Sequence, residues 1–228
     1  MVAKSSKTQY QPRGDMTEYA TFSIVAVDPN TGEMGSAIAS CALAVGFAVP
    51  YFNLHGVVHT QHHASPAIAA NILSNLEKGV HPSEAIQSAL ASDIARERRQ
   101  IICLNSSGVG AAFSGTECQG KYHQIVGHNF VAGGNTLAKE QVIDAMAEAF
   151  NTGDKKPMSL RLLSALVAGE VAGGDKRGKQ SASLRVVNPR DRERWYMYPD
   201  LRVDDHHNPL EELNRLHDIF MQNKQSRN

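Results

Sequence analysis

Three groups of residues in this chain have the types and spacing to do chemistry. The first is Asp175-Lys176-Arg177, set between Gly173-Gly174 and Gly178 and followed by Gln180 and Ser181. A cation on such a loop can hold a substrate carboxylate, and an arginine does so with two parallel hydrogen bonds. Gln180 and Ser181 can complete the polar network. The loop lacks the G-x-x-x-x-G-K-[ST] pattern of a nucleotide phosphate loop. Its plain alternative is an exposed charged turn whose glycines take positive φ. The second group is Gly133-Gly134-Asn135. A side-chain amide there can donate to a developing oxyanion, and two glycines let backbone come close; an ordinary turn fits the same residues. The third is a histidine cluster, His55, His59, His62 and His63. Along one strand His55 and His59 share a face, whereas His62 and His63 point opposite ways. A zinc site needs three or four converging ligands, so surface or interface histidines are expected here and no metal. Cys41, Cys103 and Cys118 have no metal-like spacing. Two of them lie in apolar runs, as buried free thiols in a reducing compartment would.

The elements that must position these groups follow from composition and periodicity. The chain has 228 residues, 42% of them hydrophobic, which suits one domain. Its 23 basic and 23 acidic residues leave no basic field for a nucleic-acid backbone. No apolar run approaches the roughly 20 residues that span a bilayer, so no membrane partner is expected. Residues 1–20 are polar, lack the apolar core of a secretory signal and read as a flexible extension. A cytoplasmic protein without a cofactor is the expectation, with a single domain over residues 21–228.

Residues 21–27, TFSIVAV, read as a strand and residues 33–43 as its hairpin partner across Asp28-Pro29-Asn30-Thr31-Gly32. Residues 56–61 are a third strand. Helical spacing then appears over 66–78, with Ile68, Ile72, Leu73 and Leu76 on one face, and over 82–93 behind Pro82. Residues 99–104 and 109–114 form a second hairpin, and 128–132 another strand. Two further helices cover 139–150 and 158–168. Residues 181–187 and 195–198 read as strands, and a C-terminal helix runs from about 209 to 220. Hairpins imply mainly antiparallel sheets, and helices arriving in pairs imply that each pair covers one sheet face. The expected fold is α+β, two sheets face to face with helices outside; a simpler two-layer α+β arrangement fits the periodicity equally.

Several strings resemble the family known as domain of unknown function 1028. They are TFSIVAVDPNTGEMGSAIAS (21–40), AVG (44–46), TQ (60–61), RERRQ (96–100), GN (134–135), VIDAMAEAF (142–150), AGGDKRGKQSA (172–182) and DLRVDDH (200–206). GGDKRGKQSA and DLRVDDH are the specific ones. That family looks like a member of the N-terminal-nucleophile hydrolase superfamily, which implies a four-layer αββα sandwich and Thr21 as the nucleophile. The family supplies no substrate.

A threonine hydroxyl needs a base. If Thr21 is the first residue, its own α-amine, with a pKa of roughly 8, serves. Thr21 Oγ then attacks an amide carbonyl, the amine passes the proton to the departing nitrogen, and water hydrolyses the acyl ester. The sequence departs from the family pattern in carrying 20 residues ahead of Thr21, so this chemistry requires a cut between Ala20 and Thr21. Read from their residue types, Asn135 is the candidate oxyanion donor, Asp175 the orienter of the amine and Arg177 the holder of a substrate carboxylate, with Gln61, Lys176, Gln180 and Ser181 around the substrate. The substrate expected from this chemistry is a small amide, with room for a carboxylate. Arg96 and Arg99 are expected in structural ion pairs, and Asp204 and Asp205 as caps of the C-terminal helix. Apolar helix stripes suggest a homo-oligomer. The alternative function is a non-catalytic binding or scaffold protein on the same fold.

Overall fold

The computed structural model describes residues 18–226. Residues 1–17 of the expected flexible extension lie outside that range. Residues 18–20 do not behave as an extension: Glu18–Tyr19 is a short strand, β1. The remaining strands are β2 (Thr21–Val27), β3 (Met34–Ser40), β4 (Pro50–Asn53), β5 (Gly56–His63), β6 (Arg99–Asn105), β7 (Gly110–Ser114), β8 (Lys121–Gly127), β9 (Phe130–Leu137), β10 (Ser181–Val187) and β11 (Asp200–Val203). The helices are α1 (Val45–Ala48), α2 (Pro66–Glu77), α3 (Pro82–Leu90), α4 (Gln141–Thr152), α5 (Met158–Val171) and α6 (Pro209–Gln225).

The architecture is α+β, with two antiparallel sheets. One runs β1-β5-β6-β7 with β4 also paired to β5; the other runs β11-β10-β3-β2-β9-β8. Each central strand buries both faces, because successive side chains point opposite ways. On β2, Phe22, Ile24 and Ala26 join Met146, Phe150, Leu162 and Leu166 of α4 and α5. Val25 and Val27 point the other way and meet Val57, Ile102 and Leu104 of the opposing sheet. Val58, Ile101 and Cys103 face α2 and α3 through Ile72, Leu76, Ile86 and Leu90. These clusters contain no residue before Phe22, so the part of the chain from Thr21 onward carries its own cores.

Small residues set how close the layers come. A Cβ on Gly35 would lie 2.4 Å from Leu162 Cδ1, so any larger residue would have to displace the Leu162 side chain where α5 rests on β3. Helix starts follow their sequence signals: Ser65 caps α2 by accepting from the Ile68 amide, with Pro66 in the first turn. α6 extends to Gln225, five residues past the stretch read from its apolar stripe. Trp195–Met197, read as a strand, is a single 3-10 turn; the strand is the following Asp200–Val203. No described helix is long and apolar enough to cross a membrane.

Candidate functional site

The space between the sheets changes character along its length. At one end it is filled by Val25, Val27, Met34, Val57, Ile102, Leu104 and Val131. Towards the other end the same strand faces carry Thr21, Ser23, Ser36, Ser40, His59, Gln61, Gln100 and Asn135, all buried. Buried polar groups persist where they are hydrogen-bonded, and here the bonds form one directed chain. Ser23 Oγ donates to Gln61 Oε1 at 2.8 Å, so it accepts from His59 Nδ1 at 2.9 Å. That assigns the imidazole proton to Nδ1 and leaves Nε2 to accept from Ser36 Oγ at 2.6 Å. Gln61 Nε2 donates onward to Gln100 Oε1, which also receives Asn135 Nδ2 at 2.9 Å. Gln100 Nε2 continues to the Gly134 carbonyl and Ser114 Oγ. Burial pushes the His59 pKa down to about 3, so the ring is neutral at pH 7.

Thr21 stands at the polar end. It opens β2 opposite Ser40 and has no solvent exposure. Its Oγ1 is a buried hydroxyl with no hydrogen-bond partner among the described residues. The peptide bond ahead of it is held firmly. The Ala20 carbonyl accepts from Ser40 Oγ at 2.6 Å and from Arg177 Nη2 at 2.9 Å. Arg177 is in turn fixed by Asp175, through Nε to Oδ1 at 3.0 Å and Nη2 to Oδ2 at 2.6 Å. Burial opposes the Arg177 charge, but the hydrogen bond and charge of Asp175 hold its pKa above the ordinary arginine value. Next to this group a cavity of about 120 Å³ opens, lined in part by Phe22, Ser40, Gly174, Asp175 and Lys179.

The residues singled out from sequence therefore separate into three places. Thr21, Asp175 and Arg177 meet around Ala20. The oxygens of Asp175 are engaged by Arg177 and by the Cys41 amide; Thr21 is not among its hydrogen-bond partners. Gln61 and Asn135 lie in the buried seam that reaches Thr21 through Ser23's face of β2. Asn135 is followed by Thr136 at φ 54°, a β-branched residue in the left-handed region, where it accepts from the Lys176 amide and donates to the Gln119 carbonyl. Lys176 itself is exposed, with its amine beside Gly120. Gln180 and Ser181 brace the 41–46 segment: Gln180 binds Asp205, and Ser181 Oγ donates to the Ala42 carbonyl and accepts from the Val45 amide. Asp204 and Asp205 serve that bracing as well, Asp204 pairing Arg202 and accepting from Ala44. No side-chain cap forms at the start of α6, where Asn208 holds the cap position.

Two further readings change. His59 and His62 are buried rather than at the surface, because β5 is an interior strand with both faces covered. His62 takes φ 62° and spans from the Arg98 carbonyl to the Gln119 amide. His55 falls in the turn before β5, so it is not in phase with His59 along a strand. Among the described residues no group of three or more His, Cys, Asp or Glu is placed to hold a metal ion. Arg99 and Arg96 both form ion pairs: Arg99 is bidentate to Asp93, and Arg96 pairs with Glu97 at 3.6 Å while lying over the Phe113 ring.

Sequence reasoning missed Ser23, Ser36, Ser40, Gln100 and His59 as a unit. A signal was present: the hydroxyl residues Thr21, Ser23, Ser36 and Ser40 all fall on one alternation of two strands whose other alternation, Phe22, Ile24 and Ala26 or Gly35, Ala37 and Ala39, carries no polar side chain. Neither face is then left for water.

The comparisons with known proteins concern the fold and the family. A crystal structure of protein SPO2555 from Silicibacter pomeroyi, itself assigned to DUF1028, superposes with a TM-score of 0.80 at 35% identity, covering 87% of this chain and 85% of that one. No curated protein matches. The family described as "Family of unknown function (DUF1028)" matches residues 21–213, a span that starts at Thr21 and takes in every element from β2 into α6. The chain belongs to that family.

Proposed function

We propose that the protein is an amidohydrolase of the N-terminal-nucleophile kind, its two sheets and flanking helices forming that superfamily's four-layer αββα sandwich, with Thr21 attacking the carbonyl of a small amide or peptide-like substrate. One observation carries the reading: a buried hydroxyl without a partner among the described residues sits next to a carbonyl gripped by a hydroxyl and a guanidinium. Two donors on one carbonyl oxygen make that carbon electrophilic and favour negative charge on the oxygen. Hydrolysis of the Ala20–Thr21 bond puts a hydroxyl on the Ala20 carbonyl and a proton on the Thr21 nitrogen. The freed amine is then the base that Thr21 Oγ needs. In turnover Thr21 Oγ adds to the substrate carbonyl, and the amine carries the proton to the leaving nitrogen. Water then releases the acid. Asn135 has one amide hydrogen on Gln100, leaving the other for an oxyanion. Arg177, oriented by Asp175 and relieved of Ala20, would hold a substrate oxygen in its stead, a carbonyl in an extended peptide or a carboxylate in a small amide. Exposed Leu43 and Phe47 beside the 41–46 segment support self-association of the enzyme.

The test is the first residue of the active protein. Intact mass spectrometry of active material is expected to find a species beginning at Thr21. Thr21→Ala is expected to abolish turnover, and Asn135→Ala to lower kcat by roughly 10²–10³-fold. Active protein that keeps residue 20 covalently attached removes the mechanism. A second reading, a binding module with the leader retained, draws on the β1–β5 pairing that ties the leader down. It predicts that Thr21→Ala leaves ligand affinity unchanged.

A further inference from the structure

Residues 18–20 do more than precede Thr21. They cross from one sheet to the other at the mouth of the seam. Glu18 and Tyr19 pair antiparallel with His63 and His62 on the edge of β5, while Thr21 begins β2 in the opposing sheet. Each residue of the segment meets a different environment. The Glu18 carboxylate is paired with Arg98. The Tyr19 ring packs against Ile38, Val45 and Val49, a satellite of the core beside α1. Ala20 is buried, its carbonyl held by Ser40 and Arg177. A two-residue strand gains little by itself. Three successive side chains matched by a cation, an apolar pocket and a tight site with two carbonyl donors describe recognition of an extended acyl segment, in the manner of strand addition to a sheet edge.

We propose that this strip is the acyl-side binding groove of the site, and that its ligand is an extended peptide segment reading acidic, aromatic, small, with the carbonyl of the small residue presented to Thr21. The leader fills the groove as a covalent copy of the ligand. The inference rests on the reading of Thr21 as nucleophile for its catalytic meaning, but the groove is testable by binding alone.

The experiment uses the chain from Thr21 onward, released from a ubiquitin fusion, and two synthetic peptides, acetyl-Glu-Tyr-Ala-amide and acetyl-Lys-Tyr-Ala-amide, followed by calorimetry. The expected dissociation constant for the glutamate peptide is on the order of 100 μM, set by its small size. The lysine peptide should bind about five-fold more weakly, the scale of one partly exposed ion pair. Arg98→Glu should reverse that preference, which a general loss of structure would not do. The uncut full-length chain, its groove already filled, should bind neither. If the shortened chain melts out, added glutamate peptide should raise its melting temperature in proportion to the logarithm of concentration; no such rise overturns the groove. Equal affinity for both peptides in both proteins, or no saturable binding, also overturns it, while leaving hydrolysis of simple amides by Thr21 untouched. Tight, selective binding with no turnover has the converse effect: the groove stands and the hydrolase reading falls.

Discussion

His59 shows how much a single buried side chain can reveal about its surroundings. It lies between Ser23 and Ser36, two neutral hydroxyls, with no solvent to stabilise an imidazolium. Its folded pKa of about 3 lies below the ordinary histidine value, so in the range between them the unfolded chain binds the extra proton. Stability is therefore complete above about pH 6.5 and falls as pH drops from there towards 3. The expected result is a melting temperature that declines below pH 6, and a flatter decline in His59→Gln. His217, whose pKa burial also lowers, contributes in the same direction and remains in the variant as a residual slope. At this scale the sequence picked out Asp175 and Arg177 by the unusual string they stand in and Thr21 only through the family resemblance, and the structure brings the three together around Ala20. The sequence put His59 at a surface or interface, wrongly, because a histidine in a strand looks the same whether its face meets water or a second sheet.

The elements were read best where periodicity is long. α2, α4 and α5 each fall within a few residues of their apolar stripes, since several turns of repeated spacing leave little ambiguity. β4 and β8 were not seen. β8 is KYHQIVG, with exposed and half-buried residues along its whole length at the sheet edge, so no clean alternation marks it. β9 was read only at its start, because Gly133-Gly134-Asn135 looks like a turn; in the sandwich those glycines are the strand. A Cβ at Gly134 would lie 2.9 Å from the Thr21 carbonyl oxygen and 2.8 Å from Leu137 Cδ2. Gly134→Ala is therefore expected to push β9 from β2, costing about 1–3 kcal/mol, with a matching drop in the denaturation midpoint. Gly79, which meets nothing within 4 Å of an added Cβ but has φ 78°, is a control for backbone strain without crowding.

For the whole molecule, hairpins and paired helices foretold two antiparallel sheets, but not the order of strands. β2 and β9 are neighbours across more than 100 residues of chain, and β10 returns to pair with β3. Such pairings arise from complementary faces far apart in sequence, and no local signal encodes them. The same view separates the leader from the body. Since residues 18–20 contribute nothing to the three main clusters and only Tyr19 to a satellite one, besides a two-residue strand, one ion pair and the bonds to the Ala20 carbonyl, the chain from Thr21 should unfold as cooperatively as the full chain, with a melting temperature lower by only a few degrees. Circular dichroism on the two chains checks this.

The left-handed backbone at His62 would acquire a meaning if the leader is released as proposed. A bare row of amides and carbonyls along β5 is a template on which foreign strands can stack without limit. A residue at φ 62° breaks the regular spacing of that row just before its last member. Since β4 already covers Gly56–His59, the margin bared by the proposed release would be short and interrupted, with no continuous ladder for a second sheet to zip onto. A chain opened in the proposed way would receive short peptides without becoming a seed for fibres.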